Sequence, residues 1–230
     1  MTGGAHRSAD AVGWESTTVR HALWIGGGQW AGKSTVARLL AHRYGVTAYH
    51  YDRHDARAHQ DRRIARRVRL DEPIADPDPD AVWVDTTPER MAADTLAGFP
   101  IRFEWVLDDL RALASGRPII AEGWGLRPEL IAPFINSPRR MVILVPTPEF
   151  RLHQLRTLPR ATTLGHPVSD PDRAQRNRLE RDRLVADDAV RTANELGIQM
   201  IEVDGSRDVA CIAADVADHF RPYLPPPEAG

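Results

Sequence analysis

Short apolar runs alternate with longer amphipathic segments along most of the chain. The runs "HALWIG", "VTAYHYD", "PIIAEG", "RRMVILVP" and "IQMIEVDG" predict five strands, because each is brief, largely apolar and separated from the next by a helical pattern. Strands that alternate with helices in this way indicate an α/β domain whose parallel sheet is covered on both faces. Ligands of such a sheet are expected beyond the carboxyl ends of its strands.

The segments between the strands carry the period of amphipathic helices. "KSTVARLLAHRYG" predicts the first long helix, which Gly45 ends, and the arginine-rich stretch 55–70 predicts a polar one. "TPERMAADTL" and "RFEWVLDDLRALASG" predict two separate helices, and a long helix is expected over about 172–196. "RDVACIAADVADHF" predicts the closing helix, in which we expect Cys211 to be a small buried hydrophobe.

The bulk composition limits the size and the partners of the protein. A chain of 230 residues with 42% hydrophobic residues fits one medium domain over 19–222, with loose segments at 1–18 and 223–230. A formal charge of −2 gives no basic footprint for nucleic acid or for an anionic membrane. With no long apolar run and no cleavable signal, we expect a cytoplasmic protein that acts on a small molecule as a monomer or homodimer.

The stretch "GGGQWAGKST" carries the most specific chemical signal in the chain. It matches G-x-x-x-x-G-K-[ST] and lies between a predicted strand and a predicted helix, which is the context that a phosphate-binding loop requires. We expect Lys33 to reach the β- and γ-phosphates and the Ser34 hydroxyl to bind Mg²⁺. The predicted nucleotide-binding residues of the loop are Gly27, Gly28, Gln29, Trp30, Ala31, Gly32, Lys33, Ser34 and Thr35.

Lys33 is also the single lysine among the thirty lysines and arginines of the chain. A compact ammonium on a flexible stem fits into a tight backbone cradle as a point charge, whereas a planar guanidinium does not. This contrast supplies a physical reason for one lysine in a chain that otherwise uses arginine.

Two acidic residues follow predicted strands next to the phosphate-binding loop. Asp52 ends the second strand, where its carboxylate can accept a proton from a substrate hydroxyl or orient it; the alternative interpretation is a cap of the following helix. Glu122 ends the third strand, where an acid holds Mg²⁺ or positions the nucleophile, although Asp is commoner there. The predicted metal ligands are therefore Ser34 and Glu122. The predicted substrate-binding residues are Asp52, His54, Arg57, Trp105, Glu122, Gly123 and Trp124, with a core position as the alternative for Trp105.

The histidines of "YHYDRHDARAH" surround the same strand end. Their spacing is not that of a zinc site, so we interpret them as hydrogen-bonded wall residues.

Many arginines lie between the fourth and fifth strands. The loop "TLPRATTLGHPVSDPD" between two arginine-bearing helices predicts a lid around 151–183 that brings guanidinium charge to the transferring phosphoryl group. The predicted catalytic residues are Lys33, Asp52, Arg156, Arg160 and Arg176. The alternative for most of these arginines is a solvated helix face with acidic partners.

The phosphate-binding loop, Asp52, "AEG" and the arginine-rich segment together resemble the small-molecule kinases of the P-loop superfamily. That group includes shikimate and gluconate kinases, chloramphenicol phosphotransferase, and nucleoside and nucleotide kinases. The resemblance implies a three-layer α/β/α sandwich with strand order 2-3-1-4-5 and a helical lid. It also implies ATP and Mg²⁺ as cofactors, a hydroxyl acceptor in contact with Asp52, and adenine against Gly205 and Ser206 of "DGSRD".

Three functions remain open at this point. The first is transfer of the γ-phosphoryl group of ATP to a hydroxyl of a small molecule, and the second is a nucleoside or nucleotide kinase. The third is a regulatory module that binds nucleotide and hydrolyses ATP weakly. A GTPase is nearly excluded, because its N-K-x-D element needs a lysine and the only lysine is in the phosphate-binding loop.

Overall fold

The computed structural model describes residues 17–158 and 167–228 of the chain. Five strands form one parallel sheet of order β2-β3-β1-β4-β5, which confirms the predicted fold class and strand order. The strands are β1 Leu23–Gly27, β2 Thr47–His50, β3 Ile119–Glu122, β4 Met141–Pro146 and β5 Gln199–Val203.

Helices connect the strands. The α-helices are α1 Thr17–His21, α2 Lys33–Tyr44, α3 Tyr51–Arg53, α4 Gln60–Arg69, α5 Pro79–Trp83, α6 Pro88–Ala112, α7 Pro128–Ile131, α8 Pro148–Thr157, α9 Pro171–Glu195 and α10 Val209–Phe220. A π-helical turn, His54–Ala58, separates α3 from α4, and two 3₁₀ turns, Ala132–Phe134 and Pro138–Arg140, lie between α7 and β4.

The sheet is the middle of three layers because both of its faces are apolar. One face packs against α6 and α9, and its core includes Trp24, Phe103 and Leu110. The other face packs against α2 and α10 around Leu40 and Phe220. A parallel sheet covered on both sides exposes mainly its ends, so the loops after the strands are where chemistry is expected.

The structure corrects two predictions about helices. The two helices predicted around Pro100 are one helix, α6, which continues through this proline. Cys211 is exposed, because it falls on the solvent side of α10 rather than on the face that carries Ile212 and Val216. The helix α1 was not predicted at all, since residues 1–18 were expected to be loose.

The ends of the described chain contact the body of the domain. Tyr223 lies under the guanidinium of Arg140, whose Cζ is 4.0 Å from the ring centroid. The backbone N–H of Glu228 donates to the carbonyl of Arg43 at 2.9 Å. Most of the segment predicted to be loose at the N-terminus lies outside the described residues. Within the described residues, no helix is both long and apolar enough to pass through a membrane.

Candidate active site

The phosphate-binding loop follows β1 and passes too close to β4 for side chains. A Cβ on Gly27 would lie 2.2 Å from the carbonyl oxygen of Leu144, and one on Gly28 would lie 2.8 Å from Cδ of Pro146. Gly27 also has a φ of 108°, which strains any L side chain. The local sequence is therefore glycine-rich because of backbone conformation and close approach together.

The loop turns into α2 at Gly32, whose φ is 77°. Lys33 is the first residue of α2 and is only 5% exposed; its Nζ donates to the carbonyl oxygen of Gly28 at 2.6 Å. The ammonium group therefore lies within the turn of the loop itself. Trp30 has a φ of 68°, so this loop holds backbone strain of the kind found at ligand-binding positions.

A histidine and a glutamate meet where β2 and β3 end. His50 and Glu122 are the last residues of the two strands and are paired in register. His50 Nδ1 lies 2.7 Å from Glu122 Oε1, and Glu122 is 1% exposed. The other carboxylate oxygen, Oε2, is buried and has no hydrogen-bond partner in the described part of the chain. It is therefore available as a ligand atom for a cation.

Asp52 follows β2 inside the short helix α3. The N-cap position of α3 is His50, so Asp52 does not cap this helix. Burial raises the pKa of Asp52 to about 6; the charge of Lys33 opposes the rise, Glu122 adds to it, and a backbone hydrogen bond with Trp124 opposes it. Its Oδ1 atom is buried without a hydrogen-bond partner among residues 17–158 and 167–228. A carboxylate with this pKa is suited to accept a proton near neutral pH.

These groups share one cavity of about 590 Å³ at the carboxyl edge of the sheet. Eight predicted site residues line it: Gln29, Trp30, Gly32, Lys33, Ser34, Thr35, Asp52 and Glu122. Six further residues line it as well: Arg38, His50, Arg53, Arg178, Arg181 and Asp182. The volume is in the range of small-molecule sites, and the lining carries both phosphate-binding and acidic groups.

Helix α9 supplies two arginines to the cavity. The guanidinium carbon of Arg178 is 5.8 Å from the ring centroid of Trp30 in the phosphate-binding loop. Arg181 lies between Trp83 and Trp124, at 5.2 and 5.3 Å from their ring centroids, and its Nη2 is 2.6 Å from Asp182 Oδ1. Stacking and the ion pair hold this guanidinium in a fixed orientation.

Two of the three predicted lid arginines do not line the cavity. Arg156 and Arg176 are exposed and are not among its lining residues. Arg160 lies outside the described residues. The helical period explains Arg176: the buried face of α9 includes Ala174 and Val185, and Arg178 and Arg181 continue that face toward the cavity, whereas Arg176 points away from it. The buried face of the helix is the sequence signal that identifies the arginines lining the cavity.

Several predicted contacts of the acceptor serve the packing of the domain instead. A Cβ on Gly123 would lie 2.4 Å from Cβ of Tyr51, and one on Gly125 would lie 2.3 Å from its Cζ. These glycines therefore make room for the buried Tyr51 side chain. Trp124 packs edge-on against Phe99, with ring centroids 5.2 Å apart, and reaches the site through Arg181 and through its backbone.

The remaining predicted residues are not among those that line the cavity. Trp105 packs edge-on against His59, with ring centroids 5.5 Å apart, and His54 stacks on Tyr49. The others are Gly27, Gly28, Ala31, Arg57, Gly205 and Ser206. Of these, Gly28 still contributes its carbonyl to Lys33, and Gly205 packs against Phe150 in the loop after β5. Their roles in binding stay predictions.

Comparison with known proteins adds little to this geometry. No family model matches the chain, and no curated protein matches it. Among solved structures, a gluconokinase from Sinorhizobium meliloti 1021 is similar at 13% identity, with a TM-score of 0.39, over 88% of this chain and 93% of that one. Neither number is high enough to transfer an activity, so the function of this chain has to be inferred from its own residues.

Proposed function

We propose that this protein is a kinase that transfers the γ-phosphoryl group of ATP to a hydroxyl group of a small molecule. The observation that carries the proposal is the position of Asp52. Its buried carboxylate, with a pKa raised to about 6, lies in the same cavity as the phosphate-binding loop and Lys33. A nucleotide-binding module that does no chemistry has no need for a buried, ionisable group beside the phosphates.

The residues present fit a magnesium nucleotide. The backbone of the loop at Gly27 and Gly32 has the conformations that a phosphate cradle needs, and α2 begins directly at Lys33. Ser34 and the unpartnered Oε2 of Glu122 are oxygen donors, which Mg²⁺ prefers. When bound, Mg²⁺ neutralises charge on the β- and γ-phosphates.

The protein's own side chains then divide the work of the transfer. Asp52 accepts the proton of the acceptor hydroxyl while the hydroxyl oxygen forms a bond to the γ-phosphorus of ATP. The bond between the γ-phosphorus and the bridging oxygen breaks at the same time, and this oxygen leaves with ADP. Lys33 offsets negative charge on the phosphates, and Arg178 and Arg181 supply guanidinium charge from α9. The transfer depends mainly on positioning and electrostatics, for which a rigid cavity is suitable.

The binding partners and the cellular location of the protein are part of the same proposal. We infer a small-molecule hydroxyl compound as the acceptor, a cytoplasmic site of action, and no nucleic acid or membrane partner. Action as a monomer or homodimer stays a prediction.

An acceptor screen tests this proposal against the alternatives. The purified chain is given Mg·ATP with sugars, sugar acids, nucleosides, nucleotides and hydroxylated antibiotics, and ADP release is followed together with phosphorus NMR of the products. The kinase proposal requires a phosphate ester and faster ADP release with one class of acceptor. Release of inorganic phosphate alone, at the same rate with every compound, would favour a weak ATPase module.

A further inference from the structure

A second cluster of reactive side chains lies outside the cavity, between the π-helical turn and α6. His54, His59 and Asp109 each offer one ligand atom, and these atoms lie within 4.8 Å of one another. His59 Nε2 is 2.7 Å from Asp109 Oδ2, and His54 Nδ1 is 3.5 Å from the same oxygen. None of the three lines the cavity around Lys33.

The π-helical turn is what brings the two imidazoles together. The backbone N–H of His59 donates to the carbonyl of His54 at 3.0 Å, five residues earlier. In an α-helix, two residues five apart point about 140° away from each other, because each residue turns the helix by about 100°. The wider π turn returns both side chains to one face. Such turns are rare in proteins and are frequent at functional sites.

His59 is buried in a way that hydrogen bonding alone does not explain. The residue is 1% exposed, and its Nδ1 atom has no hydrogen-bond partner within the described residues. A buried polar atom without a partner costs free energy, so the hydrogen bonds of this ring are incomplete. The other ring nitrogen, Nε2, lies 2.7 Å from Asp109 Oδ2, where an ion would be shared between the two atoms.

The carboxylate of Asp109 is held with one oxygen toward the imidazoles. Its Oδ2 accepts a hydrogen bond from the Tyr49 hydroxyl at 2.7 Å, while Oδ1 faces Arg62 Nη2 at 3.6 Å. Arg62 is shared with Asp108, at 3.2 Å, so it lies on the far side of the carboxylate. A carboxylate that ligates a metal ion is itself commonly hydrogen-bonded, which fixes its orientation.

We propose that His54, His59 and Asp109 bind one divalent transition-metal ion of the zinc class. Two imidazoles and one carboxylate are the donor set that suits such an ion, whereas Mg²⁺ prefers oxygen ligands alone. The side chains of His54 and Asp109 are 37% and 20% exposed, so the cluster is accessible to an ion from solvent.

The position of this site gives it a structural consequence. His54 follows Asp52 and Arg53 directly, and Asp109 belongs to α6, which packs on the sheet. A bound ion therefore fixes the segment that carries Asp52 against the body of the domain. This inference concerns a site separate from the proposed phosphoryl transfer and holds or fails independently of it.

Metal titration of the metal-free protein tests the proposal. Co²⁺ is added while its visible absorption is followed, and Zn²⁺ is then used to displace it, with bound metal measured after equilibrium dialysis. We expect one ion per chain that excess Mg²⁺ does not displace. His54→Ala and Asp109→Asn each weaken Zn²⁺ binding by about tenfold or more, whereas His42→Ala, an exposed histidine on α2, leaves it unchanged.

Controls separate this site from the acidic pair in the cavity. His50→Ala removes the partner of Glu122 and, under the proposal, leaves Zn²⁺ binding as in the unchanged protein. Loss of binding in His50→Ala with full binding in His54→Ala would overturn the proposal, as would absence of saturable binding to the unchanged protein. Should Asp109→Asn fail to fold by circular dichroism, the partly exposed His54→Ala alone decides the outcome.

Hydrogen exchange supplies an independent readout. Zn²⁺ is expected to slow amide exchange over residues 51–60 in the unchanged protein and to have no effect there in His54→Ala. Equal exchange of this segment with and without Zn²⁺ would show that an ion bound elsewhere accounts for the titration.

Discussion

At the scale of single residues, the site depends on one lysine and one aspartate with opposite needs. Lys33 is a permanent cation in the turn of the loop, where its Nζ bonds to the carbonyl of Gly28. Asp52 is a carboxylate that burial makes hard to ionise. The first needs a side chain slim enough for the loop, and the second needs an environment that moves its pKa toward neutrality.

The small ammonium group of lysine leads to a prediction about Lys33→Arg. The larger planar guanidinium keeps the charge but does not fit where Nζ now lies 2.6 Å from a backbone carbonyl. We expect phosphoryl transfer to fall by about 10²-fold or more, close to the loss in Lys33→Ala, which sets the floor. Steady-state rates of the two variants check this. Near-normal turnover in Lys33→Arg would show that charge alone explains the residue.

Asp52→Asn separates catalysis from nucleotide binding. The amide keeps the shape of the carboxylate but loses the proton acceptor, so kcat is expected to fall by about 10²- to 10⁴-fold while ATP affinity stays nearly constant. In the unchanged protein kcat/KM should rise with pH through about 6, where Asp52 ionises, and then level off. This limb of the pH profile should be missing in Asp52→Asn. A variant that keeps both full rate and the limb would make Glu122 the better candidate.

The same substitution carries a stability prediction with a definite sign. The pKa of Asp52 is raised from 3.8 to about 6, so folding favours the protonated form. Ionisation of this carboxyl therefore lowers the stability of the fold progressively between pH 3.8 and about 6, and above pH 6 the full cost of up to about 3 kcal/mol is present. We expect Asp52→Asn to be more stable than the unchanged protein at pH 8 and little different at pH 4. Urea unfolding at the two values checks this, and an equal difference at both would contradict it.

At the scale of elements, the strands were predictable because each is a short apolar run. The strand ends also bring both acids to one edge of the sheet. Glu122 is the last residue of β3 as predicted, whereas Asp52 lies two residues beyond His50, where β2 ends, in α3. Helix boundaries and faces were harder. The sequence around Pro100 predicts a break, but the apolar face of α6 is long enough to hold the helix together across it.

The errors in the site have a common physical origin. Arg176 and Arg178 differ by two positions on α9, which places them on nearly opposite sides, so a count of arginines cannot select between them. Likewise, the sequence predicts that Gly123 lets a ligand approach the backbone, whereas in the structure the Tyr51 side chain occupies the space beside this glycine. Which side of a helix faces the sheet, and which ring occupies a gap, depend on tertiary packing rather than on local pattern.

The proline inside α6 gives a matched pair of substitutions. Pro100 interrupts the backbone hydrogen bonds of the helix interior, whereas Pro88 stands in its first turn, where no such bond is lost. We expect Pro100→Ala to raise the free energy of unfolding by about 1 kcal/mol or more and Pro88→Ala to lower it slightly. Urea midpoints of the two variants measure this. A loss of stability in Pro100→Ala would mean that the packing of α6 requires the bend.

At the scale of the whole molecule, the site is held together by contacts between distant elements. Arg127, which is 1% exposed, precedes α7 and donates to Val185 O at 2.9 Å and to Asp188, both on α9. Asn177, also on α9, donates to the backbone of Trp83 at 3.0 Å. The wall of the cavity that carries Arg178 and Arg181 is thus attached both to the segment after β3 and to α5. Ligand binding at the cavity should therefore raise the free energy of unfolding of the entire domain.

Thermal unfolding with nucleotide tests this coupling. A ligand present at about 100 times its Kd stabilises the folded state by about 2.7 kcal/mol, provided that it does not bind the unfolded chain. For a domain of this size that amounts to a rise in Tm of roughly 5–10 °C. We expect this rise with a non-hydrolysable ATP analogue and Mg²⁺, a much smaller one when EDTA removes the metal, and none in Lys33→Ala. If Ser34 and Glu122 hold the Mg²⁺ of the nucleotide as proposed, Glu122→Gln should behave as the unchanged protein does in EDTA. A rise that is equal with and without Mg²⁺ would remove Glu122 and Ser34 from metal binding, while leaving Lys33 as the phosphate ligand.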